Sequence, residues 1–231
     1  MPTKKIIIFV FILFASFSQF VLAKTNNNKS ELTVEADESL EWFEKEKYYL
    51  AKGNVILKKD GVTLKANTVK ADYVLQNGEN ILKKIIAKEK VILTKENTIA
   101  TGQYMTYDLE DKIARISGPF QTFSSPSGYV ESKKNIIFDD VNNKAEAEGS
   151  VKIILSNKTI IYADNVKADF EPTNKSLKKA IATGNVIIEN KAKSRKSRAD
   201  LGVYNSNDEI IKLTGNVVIL SQKPKLSGSK G

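Results

Sequence analysis

A chain of 231 residues, 41% of them hydrophobic, is long and apolar enough for a packed interior, and its formal charge of +9 is a mild basic excess that suggests anionic partners. It contains neither cysteine nor histidine, which removes disulfides, thiolate chemistry and the commonest general base and metal ligand. Most enzyme mechanisms are disfavoured from the outset.

The N-terminus reads as a targeting segment. Lys4 and Lys5 form a basic start, Ile6 to Phe14 an apolar stretch, and Val21-Leu22-Ala23 a small-residue cleavage site, so residues 1–23 are expected to be a cleaved signal peptide. Export out of the cytosol follows. The alternative is an uncleaved anchor helix over Ile6 to Leu22, weakened by Ser16, Ser18 and Gln19. Residues 24–30, with three consecutive asparagines, form a polar tail.

From Glu31 the pattern is alternation, and helical spacing never runs beyond a turn or two, so 31–221 reads as one all-β domain. The stretch Ala51-Lys52-Gly53-Asn54-Val55-Ile56-Leu57 returns as Ala182-Thr183-Gly184-Asn185-Val186-Ile187-Ile188 and as Leu213-Thr214-Gly215-Asn216-Val217-Val218-Ile219. A Gly-Asn pair that can take a left-handed backbone, followed by apolar residues two apart, describes a corner leading into a strand with one buried face. Corners of this kind align at Gly53, Glu89, Gly118, Gly149, Gly184 and Gly215, a spacing near that of a hairpin and too short for a βαβ unit. The corner at Glu89-Lys90 lacks both Gly and Asn, and Gly118 is followed by Pro119, so both are expected to be shaped differently.

A second repeated element precedes the corners: Ala66-Asn67-Thr68-Val69-Lys70-Ala71-Asp72-Tyr73 is matched by Ala163-Asp164-Asn165-Val166-Lys167-Ala168-Asp169-Phe170. In both copies the alternation slips by one residue, between Ala66 and Val69 and between Ala163 and Val166, which predicts a bulge or bend there. Turn signals lie between the strands at Lys59-Asp60-Gly61, Gln76 to Asn80, Lys95-Glu96-Asn97, Asp139 to Asn143, Ser156-Asn157-Lys158 and a long Asn190 to Ser197. Strands that bend in step wrap a sheet around an apolar interior. Residues 222–231 make a basic, flexible C-terminal tail.

The repeated Gly-Asn-Val corners, the Ala-Asp strands ending in aromatics and the leader together resemble the OstA-like family of periplasmic lipopolysaccharide-transport bridge proteins over about Glu31 to Ser221. That resemblance implies an open, V-shaped β-jellyroll of about six hairpin-like antiparallel repeats in the periplasm, non-enzymatic and without cofactor or metal, whose apolar trough holds lipopolysaccharide acyl chains. It also implies that edge strands meet inner-membrane and outer-membrane transport components. The candidate edges are Leu32 to Leu40 and Val217 to Leu220, and head-to-tail pairing of identical chains would use the same ones. Alternation gives the candidate lining residues: Val55, Leu57, Val69, Ala71, Tyr73, Val91, Leu93, Tyr107, Phe138, Val151, Ile153, Val166, Ala168, Phe170, Val186, Ile188, Val217 and Ile219. Two other functions fit the same pattern: an inner-membrane-anchored adaptor of related fold, and a structural β-repeat protein with a solid core. The cluster Lys191, Lys193, Arg195, Lys196 and Arg198 reads as a solvated loop tip, with no interleaved aromatics to suggest nucleic acid.

Overall fold

The computed structural model describes residues 32–173, 175–190, 195–207 and 210–221. The leader at 1–23, the polar tail at 24–30 and the basic tail at 222–231 lie outside the described residues. No helix among the described residues is long and apolar enough to cross a membrane.

The first half of the chain forms β1 (Thr33–Glu35), β2 (Ser39–Phe43), β3 (Tyr48–Lys59), β4 (Val62–Gln76), β5 (Glu79–Lys95), β6 (Thr98–Asp108), β7 (Ile113–Ser117) and β8 (Gln121–Ser125). The second half forms β9 (Gly128–Ser132), β10 (Asn135–Asp139), β11 (Lys144–Leu155), β12 (Thr159–Phe170), β13 (Leu177–Asn190), β14 (Arg195–Asn205), β15 (Ile210–Thr214) and β16 (Val218–Ser221). Strand for strand, β9 and β10 replace β1 and β2, and β11 to β16 replace β3 to β8. The described residues form a tandem duplication, all-β and antiparallel, joined into one sixteen-stranded sheet.

The sheet is bent along a line that crosses its strands. Register shifts fall between Lys52 and Val55, Lys65 and Thr68, Lys88 and Val91, Glu148 and Val151, Tyr162 and Asn165, and Thr183 and Val186. They include the two slips expected between Ala66 and Val69 and between Ala163 and Val166. Long strands cross this line, whereas β1/β2, β7/β8, β9/β10 and β15/β16 are interrupted at it, which divides the sheet into two tiers. One runs β2-β3-β4-β5-β6-β7-β10-β11-β12-β13-β14-β15, and the other runs β1-β3-β4-β5-β6-β8-β9-β11-β12-β13-β14-β16. The tiers face each other across the interior, as the 5.5 Å approach of the Phe123 ring (β8) to the Phe138 ring (β10) shows. The result is a jellyroll-like fold, elongated along the strand-stacking direction.

Backbone conformation explains the corners. Gly53 and Asn54, Gly149 and Ser150, Gly184 and Asn185, and Gly215 and Asn216 all pair two successive positive φ values. So do Glu89 (φ 64°) and Lys90 (φ 53°), which corrects the expectation of a differently shaped corner there: the bend imposes the left-handed pair even where the residues resist it. Gly118 does differ, because Pro119 cannot adopt positive φ and Gly118 takes φ 140° alone. A side-chain latch accompanies the Gly-Asn corners: Asn54 donates to Asp37, Asn185 to Asp164, and Asn216 to Asp200, at 2.9 to 3.2 Å. The acid lies so close that a Cβ on Gly184 would stand 2.2 Å from Asp164 Oδ2.

The hairpin turns fall where glycine, asparagine and aspartate punctuate the sequence, with positive φ at Asp60, Asn77, Glu96, Asn143 and Lys158. One expected loop is shorter than the sequence suggests. β13 runs to Asn190 and β14 starts at Arg195, so Arg195, Lys196 and Arg198 lie in a strand rather than at a loop tip, because pairing with Asn190, Glu189 and Ile187 satisfies their backbone. Lys191 and Lys193 lie outside the described residues.

Candidate functional site

Register turns the alternating apolar residues into continuous rows across the inner faces. On the first tier one row reads Leu40, Ala51, Val69, Ala87, Met105, Ile116, Ile136, Ala147, Val166, Ala182 and Gly202, each opposite the next. On the second, Val34, Leu57, Leu64, Leu93, Ala100, Phe123, Val130, Ile153, Ile161 and Ile188 follow in the same way. Each row is cross-strand packing of apolar groups, the unit of sheet stabilisation.

The rows are closed in the middle and open at both ends. Leu64, Leu93, Ala100, Phe123 and Ile116 are fully buried. At the β1/β2 end Leu40 is 62% and Trp42 58% exposed, and at the β15/β16 end Ile219 is 63% exposed. Among the expected lining residues, Val55, Leu57, Val69, Tyr73, Val91, Leu93, Tyr107, Phe138, Val151, Val166, Ala168, Phe170 and Val186 are buried. Ala71, Ile153 and Ile188 are half-buried. Val217 and Ile219 stand exposed at the last strand, where no further strand continues the tier among the described residues.

At the β1/β2 end the space between the tiers widens into a cavity of about 400 Å³. Leu32, Val34 and Leu57 form one wall, and Leu40, Trp42, Tyr49, Ala51, Val69, Ala71, Leu82 and Ile85 the other, with Glu41, Leu50 and Asn80 at its rim. Its size falls within the roughly 300–1,000 Å³ typical of small-molecule sites. Only Leu57, Val69 and Ala71 of this set belong to the lining expected from alternation. The others were legible through pairing: Trp42, Tyr49, Ala71 and Ile85 stand opposite one another in turn, so an inward Ala71 carries its cross-strand neighbours inward with it.

Hydrogen bonds fix the aromatic side of the mouth. Trp42 Nε1 donates to the Tyr73 hydroxyl at 2.7 Å, and Asn80 Nδ2 donates to the Tyr49 hydroxyl at 2.7 Å. The Tyr49 ring lies 5.0 Å from that of Tyr73 and 6.2 Å from that of Trp42. On the strand carrying Trp42, hydrogen bonds from the Ser39 hydroxyl and from Lys52 hold the Glu41 carboxyl below the usual carboxylate range. Burial, and the nearby charges of Asp140 and Asp108, push the Tyr107 phenol upward, so it stays protonated. The second copy presents smaller inward groups, with Ala145, Ala168 and Ala180 opposite one another between Phe138 and Tyr204, and Ala180 and Ala182 are half-exposed.

The arrangement can hold apolar matter and offers little for chemistry. Among the described residues no group of three or more potential metal ligands is placed to hold an ion. Asp108 and Asp139 instead cap turns, accepting from the backbone of Glu110 and Asp111 and of Asn142.

No curated protein matches the chain. A solved structure described as the crystal structure of LptH, the LptA homologous periplasmic component of the conserved lipopolysaccharide transport device from Pseudomonas aeruginosa, is 12% identical, with 84% of this chain and 96% of that chain covered and a TM-score of 0.26. The family model described as LptA/(LptD N-terminal domain) LPS transport protein matches twice, over residues 33–128 and 129–230, one match for each copy of the duplication. This chain therefore belongs to the LptA/(LptD N-terminal domain) LPS transport protein family.

Proposed function

We propose that the chain is a periplasmic, non-enzymatic carrier that holds lipopolysaccharide acyl chains between its two tiers and bridges inner-membrane and outer-membrane transport components. The observation that carries the reading is the apolar cavity at the β1/β2 end, continuous with inner rows that emerge again at β15 and β16. Each methylene removed from water there contributes about 0.8 kcal/mol, so part of one chain gives useful affinity without any catalytic group. The leader at 1–23 is removed on export. The outer edges of β1/β2 and β15/β16, which have no further partner among the described residues, supply the docking strands.

Photo-crosslinking side chains at Tyr49 and Val69, inside the cavity, and at Lys65, exposed on the outer face, test the reading against radiolabelled lipopolysaccharide. Adducts at 49 and 69 and none at 65 are expected. A folded protein that gives no interior adduct overturns the lipid site and leaves a structural β-repeat protein.

A further inference from the structure

The outer faces of the two tiers differ in kind. Beside the hairpin ends of the first tier, Asp72, Lys84, Asp108, Ile113, Asp139, Lys144, Asp169 and Lys179 stand opposite one another in turn, a ladder of charge broken by one isoleucine. The matching row of the second tier reads Thr63, Thr94, Ile99, Ser124, Tyr129, Ile154 and Ile160 and carries no charge. These residues point outward, because their strand neighbours Leu64, Leu93, Ala100, Phe123 and Val130 are buried in the interior. Ile99 is 45% exposed and Ser124 is exposed, while Tyr129, Ile154 and Ile160 are half-buried. One row nearer the bend, Ile92 is exposed, Tyr162 and Ile187 extend the apolar surface, and the intervening charges of Glu131 and Lys152 meet at 3.6 Å.

The duplication supplies an internal control. Tyr129 pairs with Ile154 and Ile154 with Ile160, as Thr33 pairs with Lys58 and Lys58 with Thr63; Lys152 pairs with Tyr162 as Ile56 pairs with Lys65. The first copy thus fills with Thr33, Lys58, Thr63 and Lys65 the outward positions that the second copy gives to Tyr129, Ile154, Ile160 and Tyr162. The fold does not need apolar groups there, so their presence in the second copy marks an interaction surface.

Charge around the face indicates what covers it. At the hairpin ends of the second tier Lys59, Lys95, Lys158 and Arg195 stand against Asp60 and Glu96, while Lys58 and Lys196 are held by Glu35 and Glu189. Arg198 adds a further exposed cation beside Ile187, and Asp164 and Asp200 stand back at the bend, each holding a corner asparagine. The balance is reversed at the central hairpin ends of the first tier, where Asp108, Glu110, Asp111, Asp139, Asp140 and Glu171 outnumber Lys112, Lys144 and Lys175. We infer that the outer face of the second tier docks on an anionic phospholipid membrane. Its aliphatic, hydroxyl and tyrosine side chains suit the headgroup boundary, and the lysines and arginines at its hairpin ends meet the phosphates. This face lies on the other side of the sheet from the cavity, so the proposal needs no lipid in the interior. It lays the stacking direction along the membrane, turns the acidic tier toward water and leaves the outer edges of β1/β2 and β15/β16 uncovered.

The test mixes the chain purified from the periplasm with vesicles of phosphatidylglycerol and phosphatidylethanolamine, or of phosphatidylcholine alone. Because the chain has no native cysteine, an environment-sensitive dye can be placed at Ser124→Cys, on this face, and at Arg115→Cys, exposed on the outer face of the first tier. Anionic vesicles should shift the emission at 124 to the blue and leave that at 115 unchanged. Uptake of a lipid into the cavity would not make that distinction. Tyr129→Thr with Ile160→Thr, which reproduces the counterpart residues Thr33 and Thr63 and keeps every charge, should bind anionic vesicles about tenfold more weakly. Lys158→Glu with Arg195→Glu should lose as much, and wild-type binding should fall as salt rises. A shift at both labelled positions or at neither overturns the proposal. So does equal binding to phosphatidylcholine vesicles, or an unchanged affinity of the threonine variant. Should that variant instead dissolve a dimer that the wild type forms in sedimentation without vesicles, the face belongs to a second copy and the membrane proposal is likewise overturned.

Discussion

Trp42 Nε1 donates to the Tyr73 hydroxyl at 2.7 Å across 31 residues of sequence, so the side chain at the mouth of the cavity, 58% exposed, is tied to one that is 3% exposed. Trp42 is also the single tryptophan of the chain, which makes its fluorescence a report on this site alone. Entry of an acyl chain should shift its emission to the blue, because the ring exchanges water for hydrocarbon. Tyr73→Phe removes the acceptor, and the expected result is a red-shifted emission with about 1 kcal/mol lost from unfolding stability. An emission spectrum indifferent both to lipid and to Tyr73→Phe would mean that the ring is not held at the mouth.

Ala71 is a recess in the same wall, half-buried between the larger Tyr49 and Ile85 and facing the cavity. Ala71→Trp projects a large ring into space already present, so the fold should survive with little change in thermal midpoint. Uptake of lipopolysaccharide or of octadecanoic acid should fall at least tenfold, as expected when a pocket can no longer remove several methylenes from water. Unaltered uptake with an intact fold would place the chains elsewhere in the interior.

The corners predict opposite signs at two positions. Gly184 holds φ 74°, and a Cβ there would meet Asp164, so Gly184→Ala should cost about 1–3 kcal/mol in chemical denaturation. Glu89 and Lys90 hold the same left-handed pair without glycine or asparagine. Replacing both, as Glu89→Gly with Lys90→Asn, should stabilise the chain by about 1 kcal/mol, since only an exposed hydrogen bond from Asn67 is lost. A destabilised double variant would show that the acid and the lysine do something at this corner that the backbone does not explain.

These corners also show what could be read from residues alone. The phase slips at Ala66 and Ala163 mark the bend because side-chain alternation has a period of two and any extra residue is visible in it. The left-handed pair at Glu89-Lys90 left no trace in residue type, because the strands on either side impose it. The cavity was half-legible for a similar reason: Leu57, Val69 and Ala71 alternate along their own strands, whereas Trp42, Tyr49 and Ile85 are inward only through pairing.

The seam also predicts how one chain would meet another. β15 stands to β14 as β7 stands to β6, with Ile210 in the place of Ile113, and β2 stands to β3 as β10 stands to β11, with Ser39 in the place of Asn135. The internal pairing of Ile116 with Ile136 and of Ala114 with Phe138 then becomes, between two copies, Leu213 with Leu40 and Ile211 with Trp42. Leu40, Trp42 and Ile211 are all exposed in the single chain. The same register sets Lys212 opposite Glu41, whose carboxyl stays ionised below the usual range because of Ser39 and Lys52.

Because the chain has no native cysteine, a Leu40→Cys, Leu213→Cys double variant should form a ladder of disulfide-linked multimers under mild oxidation, the Cα separation of paired antiparallel residues being within disulfide reach. A Glu41→Cys, Leu213→Cys variant, one residue out of register, should give much less. Lys212→Glu should weaken self-association, and adding Glu41→Lys should restore it, more clearly at low salt than at high. Equal ladders from the two cysteine pairs would mean that the ends meet without the register of the seam.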